Sequence, residues 1–301
     1  MRPATDEAPF CLPPRFSRAP TSFAIPRGAW DTHAHVIGGG PAMPFVAHRN
    51  YTPPPQTPEE YVAVLDAVGL DYGIAIQISV HGNDNRLIAE ALAKYPSRLR
   101  GVVSIDGSES DAELIELRDL GVCGIRVNEH FAGGSGADQI QQFADRCRPL
   151  GWHVDLGLNA ARLRELSDLL HELDITLVID HLGFCPARLG VDHPDFVAVL
   201  DLVRMENCWI KLSGAYRLTQ QGAPYDDVGP FYRALCEAAP TRTIWGADWP
   251  NVAMFDERLM PEIGEQLDAL HRQIDDLDQL HAILVDNPAR LYGIPGTRVL
   301  R

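Results

Sequence analysis

The chain has 301 residues, is 46% hydrophobic, and sets 41 acidic side chains against 26 basic ones, a formal charge of −15. That balance opposes nucleic acid and anionic membranes as partners, while the apolar content suffices for one large barrel or two average domains. The six cysteines (Cys11, Cys123, Cys147, Cys185, Cys208, Cys236) show no C-x-x-C pairing, which argues against a disulfide framework or a cysteine zinc site and fits a reducing cytoplasm.

Residues 1–28 are proline-rich and polar without the apolar core of a signal peptide, so they read as a flexible arm ahead of a single domain over 29–301. No later run approaches membrane-spanning length. The first strand, Ala29 to His33, opens the run Asp31-Thr32-His33-Ala34-His35. Alternate residues of a strand share a face, so both imidazoles point to one site. Pro41 to Pro58 then forms a long loop, since Pro53-Pro54-Pro55 excludes helix and central strand.

Beyond the loop, short apolar runs alternate with amphipathic stretches. Further strands are expected at Gly73 to Ser79, Gly101 to Ile105, Gly124 to Val127, His153 to Leu156, Thr176 to Asp180, Cys208 to Leu212 and Thr243 to Gly246. Helical spacing marks Pro58 to Val68, Asn85 to Lys94, Ala112 to Leu120, Ala137 to Arg148, Ala160 to Leu173, Pro194 to Arg204, Val228 to Ala239 and Pro261 to Ile274. Eight strand and helix units predict an α/β chain folded as a (β/α)8 TIM barrel rather than an open sheet. No Gly-x-Gly-x-x-Gly follows the first strand, which leaves a dinucleotide site without its phosphate cradle. Leu277 to Asp286 leads into Asn287-Pro288-Ala289-Arg290, read as a closing helix capped by Asn287 with Pro288 in its first turn.

Barrel chemistry sits at the C-terminal ends of the strands. The first strand delivers His33 and His35 there, the second Ser79 and His81, the fourth Arg126 and Asn128, the sixth His181, the seventh Lys211 and Ser213, and the eighth Asp248. Singly, each has a structural reading: His181 as a core histidine, Asp248 as a turn cap, Arg126 as an ion-pair residue, Lys211 as a solvated strand end. Together, polar residues repeated at one end of apolar strands point to function. His48, His130, His153, His171, His193, His271 and His281 lie in loops, at a strand start or on helical faces, and carry no assigned chemistry.

These motifs, with Gln77-Ile78-Ser79, Gly124-Ile125-Arg126-Val127-Asn128, Ile179-Asp180-His181-Leu182-Gly183, Lys211-Leu212-Ser213-Gly214-Ala215-Tyr216-Arg217 and Trp245-Gly246-Ala247-Asp248-Trp249-Pro250, resemble the amidohydrolase superfamily over Trp30 to Tyr292. The likeness is to the branch that holds 2-pyrone-4,6-dicarboxylate lactonase and related sugar-acid lactonases. It implies a distorted barrel, Asp248 as the proton-transfer carboxylate, and His33, His35 and His181 around the reacting carbonyl. Arg126 and Arg217 would grip a substrate carboxylate, with Ser79, Tyr51 and Asn251 as further contacts.

Two departures bear on the expected chemistry. Metal-dependent members commonly add a histidine at the end of strand five, whereas here His153 starts that strand and Asp155 and Gly157 end it. The expectation is therefore a reaction that requires no metal, although His33, His35 and Asp248 could hold a zinc. The resemblance also implies a second arginine soon after Arg126 and a tyrosine ending strand five, where this chain has Glu129-His130-Phe131-Ala132-Gly133 and Leu156-Gly157-Leu158. One carboxylate clamp is then missing, and a related sugar-acid or muconolactone-type lactone fits as well as the pyrone dicarboxylate. Expected, then, is hydrolysis of a small anionic lactone; a lactone isomerase or decarboxylase of the same superfamily is the enzymatic alternative, and a carbohydrate-binding barrel without chemistry the non-enzymatic one.

Overall fold

A computed structural model describes residues 8–296. Eight parallel strands run in sequence order: β1 (Trp30–Ala34), β2 (Tyr72–Ile76), β3 (Leu99–Val103), β4 (Val122–Asn128), β5 (His153–Gly157), β6 (Leu177–Ile179), β7 (Cys208–Lys211) and β8 (Thr243–Ile244). The expected strand and helix alternation is present, and the α/β barrel is distorted where β8 meets β1. There β8 is shorter than Thr243 to Gly246 suggests, because the chain leaves the ladder after Ile244 and crosses to β1. Three backbone hydrogen bonds join the edges: Thr32 N to Trp245 O (3.0 Å), Asp248 N to His33 O (2.7 Å) and His35 N to Trp249 O (2.7 Å). Gly246 permits that crossing, since a Cβ on it would lie 2.7 Å from the Cβ of His33.

Strand alternation sorts the interior into two levels. Trp30, Ile74, Ile76, Val102, Val178, Trp209 and Ile244 form one apolar cluster with Tyr292 of the closing helix Asn287–Tyr292. One strand pleat further on, Val178 gives way to Asp180 and Trp209 to Lys211, so charge replaces hydrocarbon within the same strands. The outward-facing residues, such as Ile125, Val154, Ile179 and Ile210, pack against Leu163, Phe196 and Leu235 of the surrounding helices. Asn287 is not a cap: its backbone is already helical (φ −63°, ψ −52°), and its side-chain amide donates to Thr243 O (2.8 Å) and Pro240 O (3.2 Å), fastening the helix under β8. The Ala160 to Leu173 stretch divides at Leu166 into Ala160–Glu165 and Ser167–Glu172.

The proline-rich segment expected to be a flexible arm is tied down over residues 8–28. Leu12 N donates to Met254 O (2.9 Å), Arg18 N to Glu262 (3.0 Å), and Thr21 N and Ser22 N to Asp268 (2.9 and 2.8 Å). Proline suppresses regular structure without preventing docking by backbone hydrogen bonds. Among the described residues no helix is long and apolar enough to cross a membrane.

Candidate active site

Asp248 is the centre of the strand-end cluster, and its two oxygens are used differently. Oδ2 accepts from the Tyr216 hydroxyl (2.7 Å) and from Arg217 Nε (2.7 Å), with His181 Nε2 at 3.7 Å. Oδ1 faces His35 Nε2 at 3.6 Å and His33 Nε2 at 3.8 Å, beyond ordinary hydrogen-bond length. All of these groups are buried except Arg217, whose side chain keeps a partly exposed edge.

The backbone that delivers them is strained. His181 (φ 48°), Leu182 (φ 52°) and Asp248 (φ 56°) occupy the left-handed region that non-glycine residues avoid, at a cost of about 1–3 kcal/mol each. Neighbouring contacts over-determine those conformations. Asp31 Oδ1 accepts from His33 N (3.0 Å) and Ala247 N (2.8 Å), coupling the two strand ends that carry His33 and Asp248, while burial pushes the Asp31 carboxyl up to about 7. Gly214 (φ 69°) turns the chain between Ser213 and Tyr216 against the His181 ring, where a Cβ would meet Nδ1 at 2.9 Å. Ser213 Oγ lies 2.7 Å from that same Nδ1.

Below this layer lies a network of buried ions. Lys211 Nζ contacts Asp155 Oδ2 (2.6 Å), Asp180 Oδ1 (3.0 Å) and His33 Nδ1 (3.4 Å), so it is not a solvated strand end. Asp180 Oδ1 also faces His33 Nδ1 at 3.2 Å, and its Oδ2 pairs with Arg126 Nη2 at 3.1 Å. Asp155 has His153 Nε2 at 3.3 Å on its other oxygen. Three carboxylates (Asp155, Asp180, Asp248) thus balance three cations (Arg126, Lys211, Arg217).

Electrostatics follow from burial and this pairing. Burial lowers the His33 and His35 imidazoles, and takes His181 down to about 4, so all three are neutral near pH 7. Burial alone would raise Asp248 and Asp180, but Arg217 holds Asp248, and Lys211 with Arg126 holds Asp180, well below the usual carboxylate range. His35 Nδ1 lies 2.9 Å from the carbonyl of Ile76, which only accepts, so neutral His35 carries its proton there and presents a bare lone pair at Nε2. His35 Nε2 and Asp248 Oδ1 are therefore both acceptors, 3.6 Å apart, and await a donor between them, while His181 and His33 are the imidazoles left to donate into the site.

The donor set fits a divalent cation: one ligand atom each from His33, His35 and Asp248 lies within 4.8 Å of the others, with the bare His35 Nε2 among them. Zinc held there would supply a polarised, more acidic water. Arg217 on Asp248, however, means that the charge of this carboxylate is already matched.

The remaining expected contacts are distributed unevenly. Tyr51 and Ser79 meet hydroxyl to hydroxyl (3.2 Å), and Tyr51 lies edge-on to Phe131, whose ring is 5.5 Å from the Arg217 guanidinium. Asn251 spends its amide on Ala247 O and Asp248 O (both 3.1 Å), bracing the loop that carries Asp248. Arg126 reaches Asp180 and Gln77 O (3.4 Å) but leaves its buried Nε unpartnered, and His81 turns away to accept from Gly38 N (3.1 Å). The sequence alone points to no role for Tyr216, Asp180 or Asp155, and Lys211 reads there only as a strand end. For Asp180, Asp155 and Lys211 the signal is an ionisable residue inside, or directly beside, an apolar strand pattern; Tyr216 lies on a short helix after β7 and offers none. His130 likewise comes to the rim, stacked on Phe184 at 4.0 Å.

A (β/α)8 barrel whose first strand brings two histidines, and whose last leads to an aspartate, at one point of the mouth has the layout of an enzyme barrel, whose chemistry sits at that end. The chain belongs to the amidohydrolase family, whose model matches residues 30–294. It is 40% identical to a 4-sulfomuconolactone hydrolase of Rhizobium radiobacter over 98% of this chain and 100% of that one. It is 36% identical to a 2-pyrone-4,6-dicarboxylate hydrolase of Comamonas testosteroni over 90% of this chain and 92% of the relative. Among solved structures, an Acinetobacter baumannii protein described as a probable 2-pyrone-4,6-dicarboxylic acid hydrolase, with citric acid bound, superposes with a TM-score of 0.78 at 27% identity, covering 88% of this chain and 99% of that one.

Proposed function

We propose that the protein hydrolyses a lactone carrying an acid group, with Asp248 as the general base. The observation that carries this reading is the division of labour on Asp248: Oδ2 is held by Tyr216 and Arg217 while Oδ1 faces the His33 and His35 ring nitrogens. A water between these groups finds acceptors at Asp248 Oδ1 and at the bare His35 Nε2, and its own lone pair is left for the carbonyl carbon. Asp248 takes the proton as the C–O bond to water forms, a role worth roughly 10²- to 10⁴-fold in rate. The carbonyl electrons move to oxygen, where His181 or His33 donates. When the tetrahedral centre collapses, the ring C–O bond breaks and the proton on Asp248 passes to the leaving oxygen, giving the ring-opened acid.

Arg217 uses Nε for Asp248 and Nη2 for Val252 O (3.1 Å), which leaves Nη1 for a substrate anion. Ser79, which meets the Tyr51 hydroxyl, lines a small cavity together with Arg126. In this reading no metal is required; the relatives' names supply the lactone class and a second acid group as its companion feature.

The test is turnover of carboxylated and sulfonated lactones in ¹⁸O-labelled water. Wild-type protein should open at least one with one solvent oxygen incorporated, and Asp248→Asn should lose at least about 10²-fold. Product without ¹⁸O would replace hydrolysis by isomerisation or decarboxylation.

A further inference from the structure

Tyr216 is the second residue of the short helix Ala215–Leu218 and is nearly fully buried, and none of the expected chemistry uses it. Its hydroxyl donates to Asp248 Oδ2 at 2.7 Å, the same oxygen that Arg217 Nε reaches at 2.7 Å. Its ring lies under Arg217, with the guanidinium carbon 4.8 Å from the ring centroid. One side chain therefore touches both partners of the central ion pair, by two separable means: a hydroxyl on the carboxylate and a π-face on the cation.

This arrangement answers a difficulty in the proposed reaction, on which the inference rests. Arg217 is asked both to hold Asp248 and to receive a substrate anion, and a second anion on one guanidinium weakens its grip on the first. A neutral donor on Oδ2 is indifferent to the substrate's charge. We propose that Tyr216 is a positioning residue: its hydroxyl keeps Asp248 Oδ1 aimed at the reacting water while Arg217 engages substrate, and its ring is the platform that sets Arg217 for binding.

Two variants separate the two functions. Tyr216→Phe keeps the ring and removes the hydroxyl; kcat should fall about 10- to 50-fold with KM within about twofold, in line with loss of a hydrogen bond to a charged group. Tyr216→Leu removes both, and KM should rise about 5- to 20-fold on top of that kcat loss. A Tyr216→Phe enzyme with wild-type kcat, or one in which only KM rises, overturns the proposal; the second result would make the hydroxyl a substrate contact. A fall in thermal stability with kcat per folded molecule unchanged would make the residue merely structural and also overturns it.

If wild-type protein opens no lactone, the proposed function fails on its own, and two readouts still decide this point. Calorimetric titration with citrate, a tricarboxylate probe, should show weaker binding for Tyr216→Leu and wild-type binding for Tyr216→Phe. A crystal structure of Tyr216→Phe should show Asp248 rotated or split between conformers; an unmoved Asp248 overturns the positioning role.

Discussion

Lys211→Met is the sharpest test of the ion network beneath the site. Methionine nearly matches the lysine stem, so packing is kept and the ammonium alone is lost. Lys211 is fully buried, 2.6 Å from Asp155 and 3.0 Å from Asp180. Without it Asp180 still has Arg126 at 3.1 Å, but Asp155 keeps only His153 at 3.3 Å. Removing one partner of a buried ion pair costs about 3–5 kcal/mol. With an unfolding entropy of roughly 0.6 kcal/mol/K for a chain of this length, the melting temperature should fall by about 5–8 °C. Asp155→Asn in the same protein removes the stranded charge, so the double variant should recover at least about half of the loss. Calorimetry of wild type, both single variants and the double variant closes the cycle. A single-variant shift under about 2 °C, or a double variant less stable than Lys211→Met alone, refutes the view that these charges depend on one another.

Acidification should act late. His181 is pushed down to about 4 by burial and Asp248 is ionised well below its ordinary range, so the main loss of kcat/KM should come only below about pH 5, as His181 protonates; a step near 7 belongs to Asp31, which burial raises to about 7, and should vanish in Asp31→Asn, whereas a full loss near 6.5 that persists in that variant would contradict the burial argument. The same shift fixes the sign for folding: between about 4 and 6.5 the unfolded chain binds more protons at His181, so its contribution to stability is lost as pH drops through that window; Asp31, raised to about 7, acts the opposite way, so the His181 effect is read as the difference between urea melts of wild type and His181→Gln at several pH values. Gly214→Ala should cost about 1–2 kcal/mol in backbone strain and, with its Cβ 2.9 Å from His181 Nδ1, lower kcat more than tenfold while circular dichroism is unchanged; wild-type kcat would show that this turn does not place the ring. If His33, His35 and Asp248 hold zinc, chelator-treated protein gains roughly 4 °C in melting temperature with zinc at about a hundred times its dissociation constant and His35→Ala does not; no gain in wild type leaves the site to water, and equal gains place the ion elsewhere.

Period and punctuation in the sequence carried the architecture. Apolar runs separated by helical patterns disclosed the strand and helix alternation, and the His-x-His run and the Asp248 segment disclosed both ends of the site. What stayed hidden depends on contacts distant in sequence. Lys211 reads as a polar strand end because the carboxylates that bury it, Asp155 and Asp180, arrive from β5 and the end of β6. Asn287 reads as a cap because Asn before Pro is a common helix start, whereas the carbonyl it serves belongs to Thr243. The arm looked loose because prolines deny it regular structure, although its partners Glu262 and Asp268 lie more than two hundred residues away. Neither did the His-x-His motif reveal which nitrogen carries a proton; the Ile76 carbonyl decides that for His35.

The charge arrangement narrows the chemistry further. A carboxylate held low by Arg217 is a weak base, so it suits an acyl group that water attacks readily. Once protonated, the same carboxylate is a strong acid beside a cation and returns its proton easily to a leaving oxygen. In the proposed reaction, attack on a lactone moves one negative charge from Asp248 to the substrate oxygen without adding charge to a site where three carboxylates already match three cations. An amide would demand more at both steps, because its carbonyl is less reactive and its nitrogen must be protonated before it can leave. Among lactones, one whose leaving oxygen is an enolate asks least of so weak a base, and the neutral imidazoles nearby add hydrogen bonds without disturbing that balance. The pairing of Asp248 with Arg217 and Tyr216 thus favours an activated ring ester over a peptide-like bond on grounds independent of family likeness.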